Sequence, residues 1–121
     1  MVFVDEEFLD VTVMGFSKGG AIAILASSRL RNERVNFVLL AICGGGEWAF
    51  ERSGVDLSGR VLSIYETSDD YGQSCRSLVE AFTGVSDFEE IALSTGKQHG
   101  AFYAADSLWL DPVTEWILAA P

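Results

Sequence analysis

The sequence predicts an α/β protein, an open and mostly parallel sheet of about four strands flanked by helices. Three observations lead to that class. Four short runs rich in apolar, β-branched and aromatic residues occur at residues 9–16, 35–43, 60–65 and 88–93. The first three are apolar nearly throughout, as strands of a parallel sheet covered on both faces must be. Helical patterns lie between the runs, and such alternation implies right-handed crossovers with a ligand crevice at the carboxyl ends of the strands.

The first run, Leu9 to Phe16, leads into a glycine-punctuated turn and then an Ala-rich segment over residues 20–31, apolar on most sides and ending in arginines that suit a helix C-terminus. The second strand is expected to reach Cys43. Between Gly44 and Gly59 the chain reads as a loop or short helix, and the third strand follows. Ser74 is a plausible N-cap for an amphipathic helix whose Cys75, Leu78, Val79 and Phe82 recur at helical spacing, with Gly84 just beyond its end. After the fourth strand, Asp111-Pro112 reads as an N-cap followed by proline at the first helical position, opening a last helix through Trp116, Ile117 and Leu118.

Bulk properties narrow the function classes. A chain of 121 residues, with no repeat, linker or low-complexity tract, is one domain spanning 1–121. Eighteen acidic against eight basic side chains give a formal charge of −10, which excludes the phosphate-neutralising surface of a nucleic-acid or anionic-membrane binder. The longest apolar run, Phe37 to Cys43, is far below the roughly 20 residues that span a bilayer, and the acidic start lacks a signal peptide's basic region. A soluble, cytoplasmic protein is expected. Cys43 and Cys75 form neither a metal-ligand spacing nor a framework of bridges, so reduced structural thiols are expected.

Chemistry concentrates at Gly15-Phe16-Ser17-Lys18-Gly19. A bare Gly-x-Ser-x-Gly match is weak, but this one follows a predicted strand and opens a predicted helix, the setting in which a serine is held proud of a sheet edge. Its two glycines are expected where a Cβ would collide with strand or helix backbone. The Lys18 N–H, in the first helical turn, can face a developing oxyanion. A serine hydroxyl needs a base, and the base needs a partner that fixes its tautomer. The one histidine, His99, lies in a polar, glycine-flanked loop after the fourth strand. The acid belongs at the end of the third strand, where the sequence reads Glu66-Thr67-Ser68-Asp69-Asp70; Asp69 is the choice, with Asp70 and Glu66 as substitutes. Phe16 and Trp48 are candidates to line the pocket.

The Gly15–Gly19 pentad, which reads as a nucleophile elbow, the acid segment Glu66-Thr67-Ser68-Asp69 and the segment His99-Gly100-Ala101-Phe102 together resemble the C-terminal half of an α/β-hydrolase, close to its dienelactone-hydrolase-type serine esterases. The order Ser, Asp, His is the one that architecture uses. The resemblance implies hydrolysis of a carboxylic ester or thioester through an acyl-enzyme. Ser17 would be nucleophile, His99 base and then acid, Asp69 its orienter, and neither metal nor organic cofactor would be needed. Gly44-Gly45-Gly46 is similar to the glycine triplet of an esterase oxyanion loop, although here it follows the second strand and reads as a flexible loop.

The family's first four strands have no counterpart, so the domain is expected to be a truncated one with an apolar edge strand, and Trp109 and Trp116 short of cover. A homodimer through that edge or the uncovered face follows. The alternative reading is a catalytically weak half-domain that serves as an interaction module or as one part of a split hydrolase.

Overall fold

The computed structural model describes residues 11–28, 35–44 and 57–119. Four strands, β1 (Val11–Phe16), β2 (Val35–Leu40), β3 (Gly59–Glu66) and β4 (Val85–Leu93), alternate with helices α1 (Ser17–Ser28), α2 (Arg76–Val79) and α3 (Ser107–Leu118), with a 3-10 turn over Gln98–Phe102. The strands form one sheet in the order β1-β2-β3-β4. All neighbours are parallel, with Phe16 opposite Leu40, Leu40 opposite Ile64 and Glu66 opposite Leu93. Their carboxyl ends therefore share one edge of the sheet, as the sequence predicts for this α/β class.

Every residue of β2 is buried, and the period-two pleat divides them between two cores. Val35, Phe37 and Leu39 pack with Ile24 of α1, Val61 of β3 and Val79 of α2. Val38 and Leu40 pack on the other face with Leu62, Ile64, Phe102 and the α3 residues Trp109, Val113 and Trp116. Each such large apolar side chain contributes about 1.5–3 kcal/mol by leaving water. The sheet is thus the middle of three layers, which explains the continuous apolar reading of its central strands.

Element boundaries differ from expectation; α1 opens at Ser17 rather than Gly20, and β3 is one residue longer at each end. β2 stops at Leu40, short of Cys43, because Ala41 turns the chain with φ 53°. β4 begins at Val85, three residues before its apolar stretch; it has one strand neighbour among the described residues, so Ser86, Asp87 and Glu89 stay exposed. α2 is a single turn whose N-cap is Cys75, although Ser74 Oγ accepts the Arg76 N–H at 3.1 Å and Leu78 and Phe82 still pack inward. α3 opens at Ser107 with Asp106 as N-cap, its Oδ1 accepting the Leu108 N–H at 2.8 Å, and Pro112 lies inside the helix. Proline there removes one helical hydrogen bond. Burial of Trp109, Val113 and Trp116 on one side of α3 offsets that loss.

Two further expectations are corrected. Trp109 and Trp116 are covered, at 9% and 4% exposure, with Trp109 Nε1 donating to Ala104 O at 3.0 Å and the Arg60 guanidinium lying 4.1 Å from the Trp116 ring centre. Cys43 and Cys75 are joined in a disulfide rather than reduced. The carboxyl end of β2 and the start of α2 meet there, because Gln73 N–H donates to Cys43 O at 2.5 Å, which brings the two Cα atoms to 5.1 Å. No spacing rule could signal a pair 32 residues apart.

Candidate active site

Ser17 is the first residue of α1, directly after β1, and holds φ 58°. A left-handed conformation is unfavourable for any residue with a Cβ, so the turn must be fixed by its surroundings. A Cβ on Gly15 would lie 2.6 Å from Gly20 O, and one on Gly20 would lie 2.4 Å from Gly15 C. The backbone crosses itself at these two glycines, and side chains at either would force it apart. Gly19, the second glycine of the pentad, would meet nothing within 4 Å. The steric demand therefore falls on Gly15 and Gly20, one residue beyond the motif as read from the sequence.

Ser17 Oγ lies 2.6 Å from His99 Nε2, and His99 Nδ1 lies 2.5 Å from Asp69 Oδ2. An ionised carboxylate can only accept, so Nδ1 carries the imidazole proton and Nε2 is left to accept from the serine hydroxyl. These contacts join residues 82 and 30 positions apart. Asp69 is fully buried. Its Oδ1 accepts the Tyr71 N–H at 2.9 Å, its own N–H donates to Glu66 O at 2.9 Å, and its carbonyl accepts the Gln73 side-chain amide. Asp70, the next residue, is exposed.

Glu66 occupies a different place. Fully buried at the end of β3, its carboxylate accepts the N–H groups of Thr95 and Gly96 and the Ser68 hydroxyl at 3.0–3.2 Å. Burial pushes this carboxyl up, but the donors from Thr95, Gly96 and Ser68 together outweigh it and hold it below the ordinary glutamate value. Glu66 thus bonds to loop backbone, not to His99.

Aromatic rings frame the imidazole. Phe16 stacks on His99 with centroids 5.0 Å apart, while Tyr71 and Tyr103 stand edge-on at 6.5 and 6.3 Å. Both tyrosines are exposed, at 71% and 73%. Sequence reasoning named Phe16 and missed the two tyrosines, although Tyr71 follows the acid by two residues and Tyr103 follows the histidine by four. The Lys18 backbone lies in the first turn of α1, where N–H groups have no acceptor within the helix. Trp48, Gly45 and Gly46 lie outside the described residues. Gly44 packs against Gln73, whose Cβ would lie 2.8 Å from a Cβ at that position, and it holds φ 80°.

Three non-glycine residues among those described have positive φ: Ser17, Ala41 and Gln98. They follow β1, β2 and β4 at the carboxyl edge, and Gln98 immediately precedes His99. Such conformations cost on the order of 1–3 kcal/mol each and gather at functional sites. A cleft of about 620 Å³ lies elsewhere, between β4 and α3 beside Arg60 and Trp116, and none of Ser17, Asp69 and His99 lines it. Among the described residues, no group of three or more His, Cys, Asp or Glu side chains is arranged to hold a metal ion.

Comparison of the chain with protein-family models, with characterised proteins and with solved structures finds no match. The fold and the site geometry therefore define an α/β protein bearing a Ser-His-Asp hydrogen-bonded chain at the carboxyl edge of its sheet.

Proposed function

We propose that the protein is a serine hydrolase acting on carboxylic ester or thioester bonds. One observation carries the reading: a serine in a left-handed strand-to-helix turn lies 2.6 Å from an imidazole whose other nitrogen lies 2.5 Å from a buried carboxylate. In this mechanism His99 Nε2 takes the Ser17 proton as Oγ bonds to the acyl carbon, and the carbonyl electron pair moves to the oxygen. The Lys18 N–H donates to that oxyanion. Collapse expels the alcohol or thiol, which receives the proton from Nε2. Water, deprotonated by His99, then releases the acid and restores Ser17. Tyr71 and Tyr103 flank the imidazole edge-on.

The test is turnover of a short-chain chromogenic ester by the wild type and by Ser17→Ala. The reading expects an initial burst of product equal to the enzyme, as acyl-enzyme accumulates, and none from the variant. Absence of turnover by folded wild type would instead favour the interaction module or split-hydrolase role.

Location and association bear on the same reading. No helix among the described residues is long and apolar enough to cross a membrane. A cytoplasmic location is opposed by the Cys43–Cys75 disulfide, since reducing compartments keep such thiols open. Self-association through β1 rests on Val11 and Met14, exposed at 38% and 50% on a strand with one described neighbour.

A further inference from the structure

The two residues that extend the hydrogen-bonded chain from Ser17 come from separate segments, the loop after β4 that carries His99 and the turn after β3 that carries Asp69. Loops at a sheet edge are the parts of an α/β fold freest to drift relative to one another. A displacement of about 1 Å between reacting groups can cost about 100-fold in rate. Something must hold these two segments in register, and the ladder cannot do so beyond its last bond, Thr67 N–H to Leu93 O at 2.8 Å.

Glu66 spans that gap. Toward the histidine loop, its two carboxylate oxygens accept the Thr95 N–H at 3.1 and 3.2 Å, and Oε1 accepts the Gly96 N–H at 3.1 Å. Toward the acid turn, its main-chain carbonyl accepts the Asp69 N–H at 2.9 Å, and Oε1 accepts the Ser68 hydroxyl at 3.0 Å. Ser68 Oγ closes the circuit by accepting the N–H of Gln98, the left-handed residue before His99, at 3.0 Å. No bond runs from the Glu66 carboxylate to Ser17, Asp69 or His99. A buried charge is weak evidence for a stabilising role, because its desolvation offsets much of the gain. Its donors here converge from the two segments that must be aligned.

We propose that Glu66 is a positioning residue, a carboxylate clamp that locks the acid turn to the base loop so that Asp69 and His99 hold one geometry opposite Ser17. This rests on the hydrolase reading for its consequence in turnover, but not for its consequence in the His99 ring. An ionised carboxylate suits the position because every group facing it is a donor. An amide there would replace one accepting oxygen with an NH2 donor, set against an N–H group that needs an acceptor.

The test uses the full chain with ¹⁵N-labelled histidine, whose imidazole signals are unambiguous because His99 is the chain's one histidine. Wild type is expected to show the Nδ1–H tautomer alone. Glu66→Gln, checked for folding by circular dichroism, should show a mixture of tautomers, a kcat lower by about 100-fold and a KM within about twofold; Glu66→Asp should recover part of both. Should Glu66→Gln fail to fold, Ser68→Ala removes one arm of the clamp, with the same directions expected at about tenfold in kcat. Folded variants that keep the wild-type tautomer and kcat would overturn the proposal. A tautomer shift in a protein with no turnover at all would keep the clamp and sink the hydrolase reading, so the two failures are distinct.

Discussion

Gly19 and Gly20 differ in what they do beneath Ser17, and alanine at each separates them. Gly20→Ala should lose about 1–3 kcal/mol or more in urea denaturation and abolish turnover, because its Cβ would overlap Gly15. Gly19→Ala, open to solvent within a helix, should be neutral or more stable by up to about 1 kcal/mol with activity retained. At the acid, Asp69→Asn should lower kcat by about 10⁴, since the amide no longer fixes the Nδ1–H tautomer, while Asp70→Asn should leave it within about twofold. Glu66 has a signature in pH. Its folded value is depressed, so its contribution to stability is full above the ordinary glutamate value of about 4.3 and is lost as pH falls through the lower folded value. The gap in denaturation midpoint between wild type and Glu66→Gln should therefore narrow on acidification below about pH 4.3. The positions of Ser17, Asp69 and His99 were legible because a strand end, a turn and a polar loop each leave a local pattern. The work of Gly20 and Glu66 was not, because a backbone crossing and a carboxylate seated among distant N–H groups exist only once the strands are side by side.

Elements were legible where one force dominated. The cores of β2 and β3 were legible because burial on both faces leaves continuous apolar runs, although β2 ends three residues before its apolar run does. β4 and α3 were misjudged at their starts, the first because an edge strand tolerates Asp87 and Glu89, the second because Pro112 reads as a helix start while tertiary packing of Trp109 begins the helix earlier. The pairing of Cys43 with Cys75 was invisible for the same reason of distance. It closes a loop with a separation of 32 residues, and the chain-entropy argument gives it about 3–4 kcal/mol. Thermal melts with and without a dithiol reductant should differ accordingly; equal midpoints, with reduction verified by thiol counting, would contradict that value.

The described residues place Ser17, Asp69 and His99 on one edge of the sheet, since four parallel strands end together there, with Ser17 directly after β1 and Asp69 and His99 in the segments after β3 and β4. Parallel order was readable from alternation alone. Of the two arguments for association, the tryptophans expected to need cover are buried, which leaves β1 as the argument for a second copy. Sedimentation at micromolar concentration should give a dimer, and a stable monomer would remove that proposal. The central claim is that Ser17 is an activated nucleophile. Incubation with a fluorophosphonate followed by peptide mass mapping tests it most directly. The account predicts one adduct, on Ser17, absent from Ser17→Ala and strongly slowed in His99→Gln. A folded wild type that takes no label, or takes it elsewhere, would contradict it.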